Sequence, residues 1–306
     1  MKMKRFVSIA LCALMLLPIL AGCGAKNEPT VATAAPAATE AATAAPAAAE
    51  TTAPAALAED VQKIVDRGVL RVGVKNAVLG FGFQDELTGE YSGMEISLAQ
   101  KIAEYLGVDV EFTAVTAATR TELLDSGDID CVLATFTITE ERKKSWDFTT
   151  PYYTDYVTVL VEDASGIKTL ADLKDKKVGV SSGSTSAKVL VKAMIEAGVL
   201  SGDGFDADTF DPATWTDGVS FAQYDDYPTI STALSAGEVD AFCVDKSILA
   251  VYHTDGRSYI DDKFSPQEYG IATVKGSGMS ELCETLVTGW LADGTIDALI
   301  AENGIA

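Results

Sequence analysis

Apolar residues follow two rhythms between about Leu57 and Ala306. Short continuous runs, among them Val69–Val74, Val108–Thr113, Lys177–Ser181 and Val239–Val244, have the length and β-branched content of buried strands. Between them apolar positions recur at helical spacing. Met94, Leu98, Ile102, Tyr105 and Leu106 fall on one helical face, which Gly107 stops. Ala187–Ala197 reads as a helix ended by Gly198, and Pro228 suits the first turn of another. Strands alternating with amphipathic helices predict an α/β fold. The last helices, around Glu281–Leu291 and Ile296–Glu302, have no strand after them and are expected to pack back on the first half.

One stretch of this pattern occurs twice. Leu124-Asp-Ser-Gly-Asp-Ile-Asp-Cys131 is echoed by Leu234-Ser-Ala-Gly-Glu-Val-Asp-Ala241, in each case a helix end, a glycine turn and a strand. Each copy follows a short strand of similar type, Val69–Val74 and Lys177–Ser181. Two copies of one αβ plan predict two similar lobes.

The chain's beginning has a different character. Lys2, Lys4 and Arg5 precede an apolar run from Phe6 to Leu20, shorter than the roughly 20 apolar residues of a membrane span, and then Leu20-Ala21-Gly22-Cys23. Residues 1–22 are therefore expected to be an export signal. Leu-Ala-Gly-Cys looks like a lipobox, so Cys23 is the expected lipidation site; an unmodified thiol is the alternative. Each methylene of such an anchor contributes roughly 0.8 kcal/mol when buried in a bilayer. Residues 23–57 are almost wholly Ala, Thr, Pro and Glu, too poor in large apolar side chains to fold, and are expected to form a tether at the outer face of the cell membrane.

The formal net charge of -22 excludes a phosphate-binding surface, so nucleic acid is not an expected partner. Cys131, Cys243 and Cys283 make an odd set in the globular part, unlike a disulfide framework, and Cys131 and Cys243 fall inside strand patterns. With a single histidine, His253, and neither Cys-x-x-Cys nor His-Glu-x-x-His, no metal site is expected, and no cofactor.

The segment Ala134–Tyr153 ends a strand in hydroxyls and an arginine, a composition suited to holding an anion. Arg142 follows Thr139, a plausible N-cap, and so belongs in the first turn of a short helix beginning near Glu140; from there its guanidinium can fork onto a carboxylate. Ser181–Ser186 leads straight into a helix whose free amides favour an anion. Asp245 ends one strand and precedes Lys246–Tyr252, which reads as a helix that it could cap.

In this order, Leu70–Val74, Gly89–Ala99, Ala134–Tyr153, Val239–Asp245 and Tyr269–Gly276 resemble the bacterial extracellular solute-binding proteins of family 3, the polar amino-acid receptors of ABC importers. The resemblance implies a type II periplasmic-binding-protein-like fold, each lobe a mixed sheet flanked by helices. Residues 58–151 and 270–306 would form lobe one and 157–267 lobe two, with a two-strand hinge near 152–156 and 268–270. It also implies that Arg142 and Thr137 bind the ligand's carboxylate, completed on closure by Ser184 and Thr185. Ala134 and Thr135 would meet the ammonium or the side chain, and Asp245 would accept the ammonium. Thr116-Ala-Ala-Thr-Arg120 resembles the subgroup in which Arg120 meets a side-chain carboxylate, giving glutamate or aspartate as the expected ligand. If Arg120 lies instead on the surface, a polar uncharged ligand such as glutamine is expected; cystine is a further alternative. Phe81 or Phe83 would wall the pocket, and Asn76 would make a polar contact.

The expected partners are thus an amino acid, an ABC permease and, through Cys23, the membrane, with the receptor itself a monomer. Enzymatic activity is not expected. A dehydratase-like enzyme on this fold would need a positioned acid or base in the cleft, and a serine nucleophile would need a nearby base and the Gly-x-Ser-x-Gly context.

Overall fold

The computed structural model describes residues 57–305. The expected export signal, Cys23 and all of the expected tether except Leu57 lie outside the described residues. Helix α1 (Glu59–Arg67) turns into strand β1 (Val69–Val74) through Gly68, whose φ of 75° favours glycine. A small three-stranded sheet follows: β2 (Ala77–Val78), β3 (Gly82–Gln84) and β4 (Tyr91–Ser92). Helix α2 (Met94–Leu106) buries Met94, Leu98, Ile102 and Leu106. Tyr105, expected on the same face, is 62% exposed, because the step of about 100° per residue carries it away from its neighbour Leu106.

Strand β5 (Asp109–Ala114), one residue later than the apolar run suggests, pairs in parallel with β1 from Val69↔Asp109 to Val74↔Ala114. Then come α3 (Arg120–Ser126), β6 (Cys131–Leu133) and β7 (Trp146–Phe148). The long strand β8 (Tyr153–Glu162) carries the chain into a second sheet, continued by β9 (Lys177–Ser181), α4 (Ser186–Glu196), β10 (Ser220–Tyr224), α5 (Tyr227–Ser235) and β11 (Ala241–Asp245). Short helix α6 (Lys246–Leu249), β12 (Arg257–Tyr259) and β13 (Phe264–Tyr269) complete that sheet. The chain returns through β14 (Ala272–Val274) and ends in α7 (Gly278–Ala292) and α8 (Thr295–Glu302).

The first sheet has the order β5-β1-β6-β14-β7; the second has β10-β9-β11-β8-β12, with β13 also paired to β8. This is a two-lobe α/β fold, and its two crossing strands pair antiparallel through Tyr153↔Tyr269, Thr154↔Glu268 and Asp155↔Gln267. Met279, Cys283 and Val287 of α7 and Ile296 and Leu299 of α8 join Val61, Ile64, Leu70 and Ile102 in one apolar core, so the last two helices pack on the first lobe. Cys131, Cys243 and Cys283 are buried and unpaired among the described residues. Among those residues no helix is long and apolar enough to cross a membrane.

Candidate functional site

Open α/β sheets present ligands at the C-terminal ends of their strands, and here the residues just past β6, β9 and β11 meet. The first lobe contributes Ala117, Arg120, Thr135, Thr137 and Arg142, and the second Ser184, Thr185, Ser186, Tyr227, Val244 and Asp245, around a small space. The lobes touch over it. Arg142 Nη2 donates to the Gly183 carbonyl across the cleft (3.1 Å), and Lys188 pairs with Glu141 (3.0 Å). A Cβ on Gly183 would stand 2.8 Å from the Ala117 carbonyl oxygen, closer than real Cβ contacts come, so only glycine allows this approach.

Arg142 opens a single turn of 3-10 helix, Arg142–Lys144, rather than a longer helix from Glu140. Thr139, three residues before it, accepts from the Arg142 amide through its Oγ1 at 3.1 Å. The Arg142 guanidinium is held by the Thr137 carbonyl (2.7 Å) and by the Phe136 ring, 4.6 Å from its centroid. Burial, then the positive charge of Arg120, lower its pKa to about 9, which leaves it cationic at neutral pH.

Arg120 is 3% exposed, which removes the surface alternative. Its Nη1 donates to the Ala134 carbonyl (3.0 Å), and its guanidinium carbon lies 3.7 Å from the centroid of the same Phe136 ring. Arg120 Nε is buried without a partner. Burial lowers its pKa to about 10. Thr135 adopts a φ of 45°, uncommon for a β-branched residue. That conformation delivers its amide to Glu95 Oε1 at 2.6 Å.

Asp245 is buried at the opposite wall. It occupies the N-cap position of α6 but makes no capping bond; Asp155 of β8 accepts from the Ser247 amide instead, at 3.0 Å. The Asp245 carboxylate is thereby left to the cleft, steadied by the Tyr269 hydroxyl. Burial and the neighbouring Asp155 carboxylate raise its pKa to about 7, against the opposing pull of the Tyr269 hydrogen bond, Arg120 and Arg142. Ser184 and Thr185 stand at the N-terminus of α4, where Ser186 Oγ is also buried without a partner.

Four residues expected at the site lie elsewhere. Phe81 is fully buried, edge-on to Tyr153 (5.0 Å) and Tyr269 (5.8 Å), because the turn between β2 and β3 points its ring into the core. It reaches the site only by supporting Tyr269. Asn76 and Phe83 line a separate groove with Thr116, Asp226 and Tyr252. Ala134 is buried outside the enclosed space, its carbonyl taken by Arg120 and by the Thr135 hydroxyl (2.9 Å).

Sequence reasoning missed Lys75, Glu95, Phe136, Tyr227 and Gln267. Lys75 is 4% exposed, with Nζ 5.3 Å from the Tyr227 ring centroid; burial, then Arg120, push its pKa well down. Glu95 is fully buried, and its Oε1 also accepts from the Tyr152 hydroxyl at 2.5 Å. Burial raises its pKa. Both left a signal: a lysine terminating an apolar strand, and one acidic residue on the apolar side of α2.

A two-lobed cleft with buried guanidiniums on one wall and a buried carboxylate on the other is the site of a protein that binds a small solute. Residues 70–298 match the sequence model of the bacterial extracellular solute-binding proteins, family 3, and the chain belongs to that family. It is 31% identical over 278 residues to a glutamine-binding protein of Geobacillus stearothermophilus, covering 89% of this chain and 93% of that protein. It is 32% identical over 245 residues to the L-cystine-binding protein TcyJ of Escherichia coli K12, covering 78% of this chain and 84% of that one. Among solved structures, an ancestral arginine-binding protein bound to arginine superposes with a TM-score of 0.64 at 35% identity, covering 77% of this chain and 98% of that chain.

Proposed function

We propose that this protein is the extracytoplasmic receptor of an ABC importer for an acidic L-amino acid, glutamate or aspartate. Binding of an amino acid in this role is supported by the family and by the relatives' ligands, glutamine, cystine and arginine. The choice among amino acids rests on one observation, the charge balance of the site. Among the side chains that line it, the guanidiniums of Arg120 and Arg142 face the single carboxylate of Asp245, an excess of one positive charge. An acidic amino acid, with two carboxylates and one ammonium, offsets that excess; a neutral one leaves buried charge unpaired, which is costly. In this reading Arg142 takes the α-carboxylate, Asp245 the ammonium, and Arg120 the side-chain carboxylate. Closure follows because only the joined lobes supply all of these partners.

The export signal, lipidation at Cys23, action as a monomer and docking on a permease belong to the same proposal and rest on the sequence. Isothermal titration of the full chain in detergent against the common L-amino acids tests the ligand assignment. Micromolar or tighter binding of glutamate or aspartate, with glutamine at least about tenfold weaker, is expected; a preference for glutamine or arginine would overturn the acidic assignment. The second reading is a dehydratase-like enzyme on the same fold, favoured by Asp245, whose pKa of about 7 suits a general acid. Product formation during prolonged incubation with the bound solute would establish it.

A further inference from the structure

Gln267 lies on the returning hinge strand β13 and is 2% exposed. Its Nε2 donates to the carbonyls of Ser265 (3.0 Å) and Pro266 (3.2 Å) and to Ser265 Oγ (3.3 Å). Carbonyl oxygens only accept, so the amide has one admissible orientation, with nitrogen toward β13 and oxygen toward the cleft. In the cleft Gln267 Oε1 accepts two hydroxyls, Thr137 Oγ1 from the first lobe at 2.9 Å and Thr185 Oγ1 from the second at 2.8 Å. A threonine hydroxyl has a single hydrogen. Directed to Gln267, it leaves only lone pairs on the oxygen, and a carboxylate cannot bond to them.

We infer that Gln267 is a positioning residue that claims both hydroxyl hydrogens and thereby ties the two lobes together from the hinge. The solute's α-carboxylate is then left to the Arg142 guanidinium and to the amides at the start of α4. This rests on the proposed function for what the site binds and alters the part expected of the Thr137 and Thr185 side chains: they act on closure, not on the carboxylate. The bond from Thr137 to Gln267 crosses between the lobes, so removing either partner is expected to lower the closed population before any solute is added.

The test is a cycle of four proteins: wild type, Gln267→Leu, Thr137→Val and the double variant. Each carries a spin label on either lobe, and interlobe distances are measured without any amino acid. The closed-to-open ratio is expected to fall about tenfold in each single variant and by about the same tenfold, not a hundredfold, in the double, because each deletion removes the same Thr137 bond. An unchanged ratio in Gln267→Leu, or multiplicative losses in the double variant, would overturn the inference. Should Gln267→Leu fail to fold, Gln267→Met replaces it in the cycle, and Thr137→Ser, which keeps the hydroxyl, should restore the wild-type ratio. None of these readouts needs a solute, so they stand even if the amino-acid assignment fails. Titration of the same four proteins with glutamate then separates the two: absence of binding to wild type would count against the proposed function alone.

Discussion

Leu124–Leu133 in the first lobe and Leu234–Val244 in the second take the same steps. Gly127 (φ 75°) and Gly237 (φ 71°) end their helices, and the next residues, Asp128 and Glu238, donate back to the Leu123 and Ala233 carbonyls (3.0 and 2.9 Å). Asp130 and Asp240 then each accept from an amide of a neighbouring strand, Arg71 and Lys177, both at 2.8 Å. The tight spots correspond too: a Cβ on Gly73 of β1 would stand 2.6 Å from Ile129, and one on Gly179 of β9 would stand 3.3 Å from Val239, the counterpart of Ile129. The copies part most at the ends of their strands. After β1 and β6 come Lys75 and the strained Thr135, beside Arg120 and Arg142; Ser182-Gly183-Ser184 follow β9, and Asp245 is the last residue of β11. A repeated scaffold thus carries opposite chemistry on its two faces, cations on one and a carboxylate with a helix N-terminus on the other, and a zwitterion requires both.

Removing the cation common to all amino acids should be the harshest way to break this division. Arg142→Ala deletes the partner of the α-carboxylate and also the bond to Gly183 that joins the lobes. Loss of a buried charged bond costs on the order of 3–5 kcal/mol, so binding of every amino acid should weaken by at least about a hundredfold in calorimetric titration. Retained affinity would move the carboxylate elsewhere in the site. Arg120→Gln should act more narrowly, weakening glutamate and aspartate about tenfold to a hundredfold while sparing glutamine. Equal losses across the panel would make Arg120 a support for Ala134 and Phe136 and not a reader of the side chain.

The opposite face offers a gentler test through pH. The proton on unliganded Asp245 leaves near pH 7, whereas an ammonium ligand needs the anion. A raised carboxyl pKa therefore makes acid unfavourable: below about pH 7 affinity should fall by up to about tenfold per unit, and above it level off. Titrations at pH 6 and pH 8 should differ by about tenfold in wild type. The difference should vanish in Asp245→Asn, which binds weakly at both. A flat wild-type profile would mean that Asp245 stays ionised in the unliganded cleft.

What the sequence disclosed follows from this division. The repeated αβ plan was visible because its glycines, aspartates and apolar strands obey local rules of turn geometry and burial. Arg120, Arg142 and Asp245 stood out as charges at the margins of apolar runs, and family resemblance supplied their roles. Phe81 was misplaced because nothing local decides whether an aromatic after a strand turns toward a cleft or toward Tyr153 and Tyr269. Gln267 was invisible for a related reason: a glutamine in Pro266-Gln267-Glu268 looks solvent-facing until β13 is paired with β8 and the lobes bring Thr137 and Thr185 to it.

The smallest effect concerns the scaffold, where the two copies are not equally reinforced. Asp130, its side chain 10% exposed, accepts the Arg71 amide and guanidinium (both 2.8 Å) and also pairs with Arg67. Asp240 accepts the Lys177 amide at 2.8 Å from an exposed position. Charge-assisted bonds contribute about 1.5–3 kcal/mol and are weakened by solvent. Asp130→Ala should therefore destabilise the protein by about 2–3 kcal/mol in urea unfolding, and Asp240→Ala by about 1 kcal/mol. Neither should alter which amino acids bind, since both lie at the strand ends away from the cleft. Equal losses would show that the shared amide contact carries the turn in both lobes and that the added arginines of the first contribute nothing to its stability.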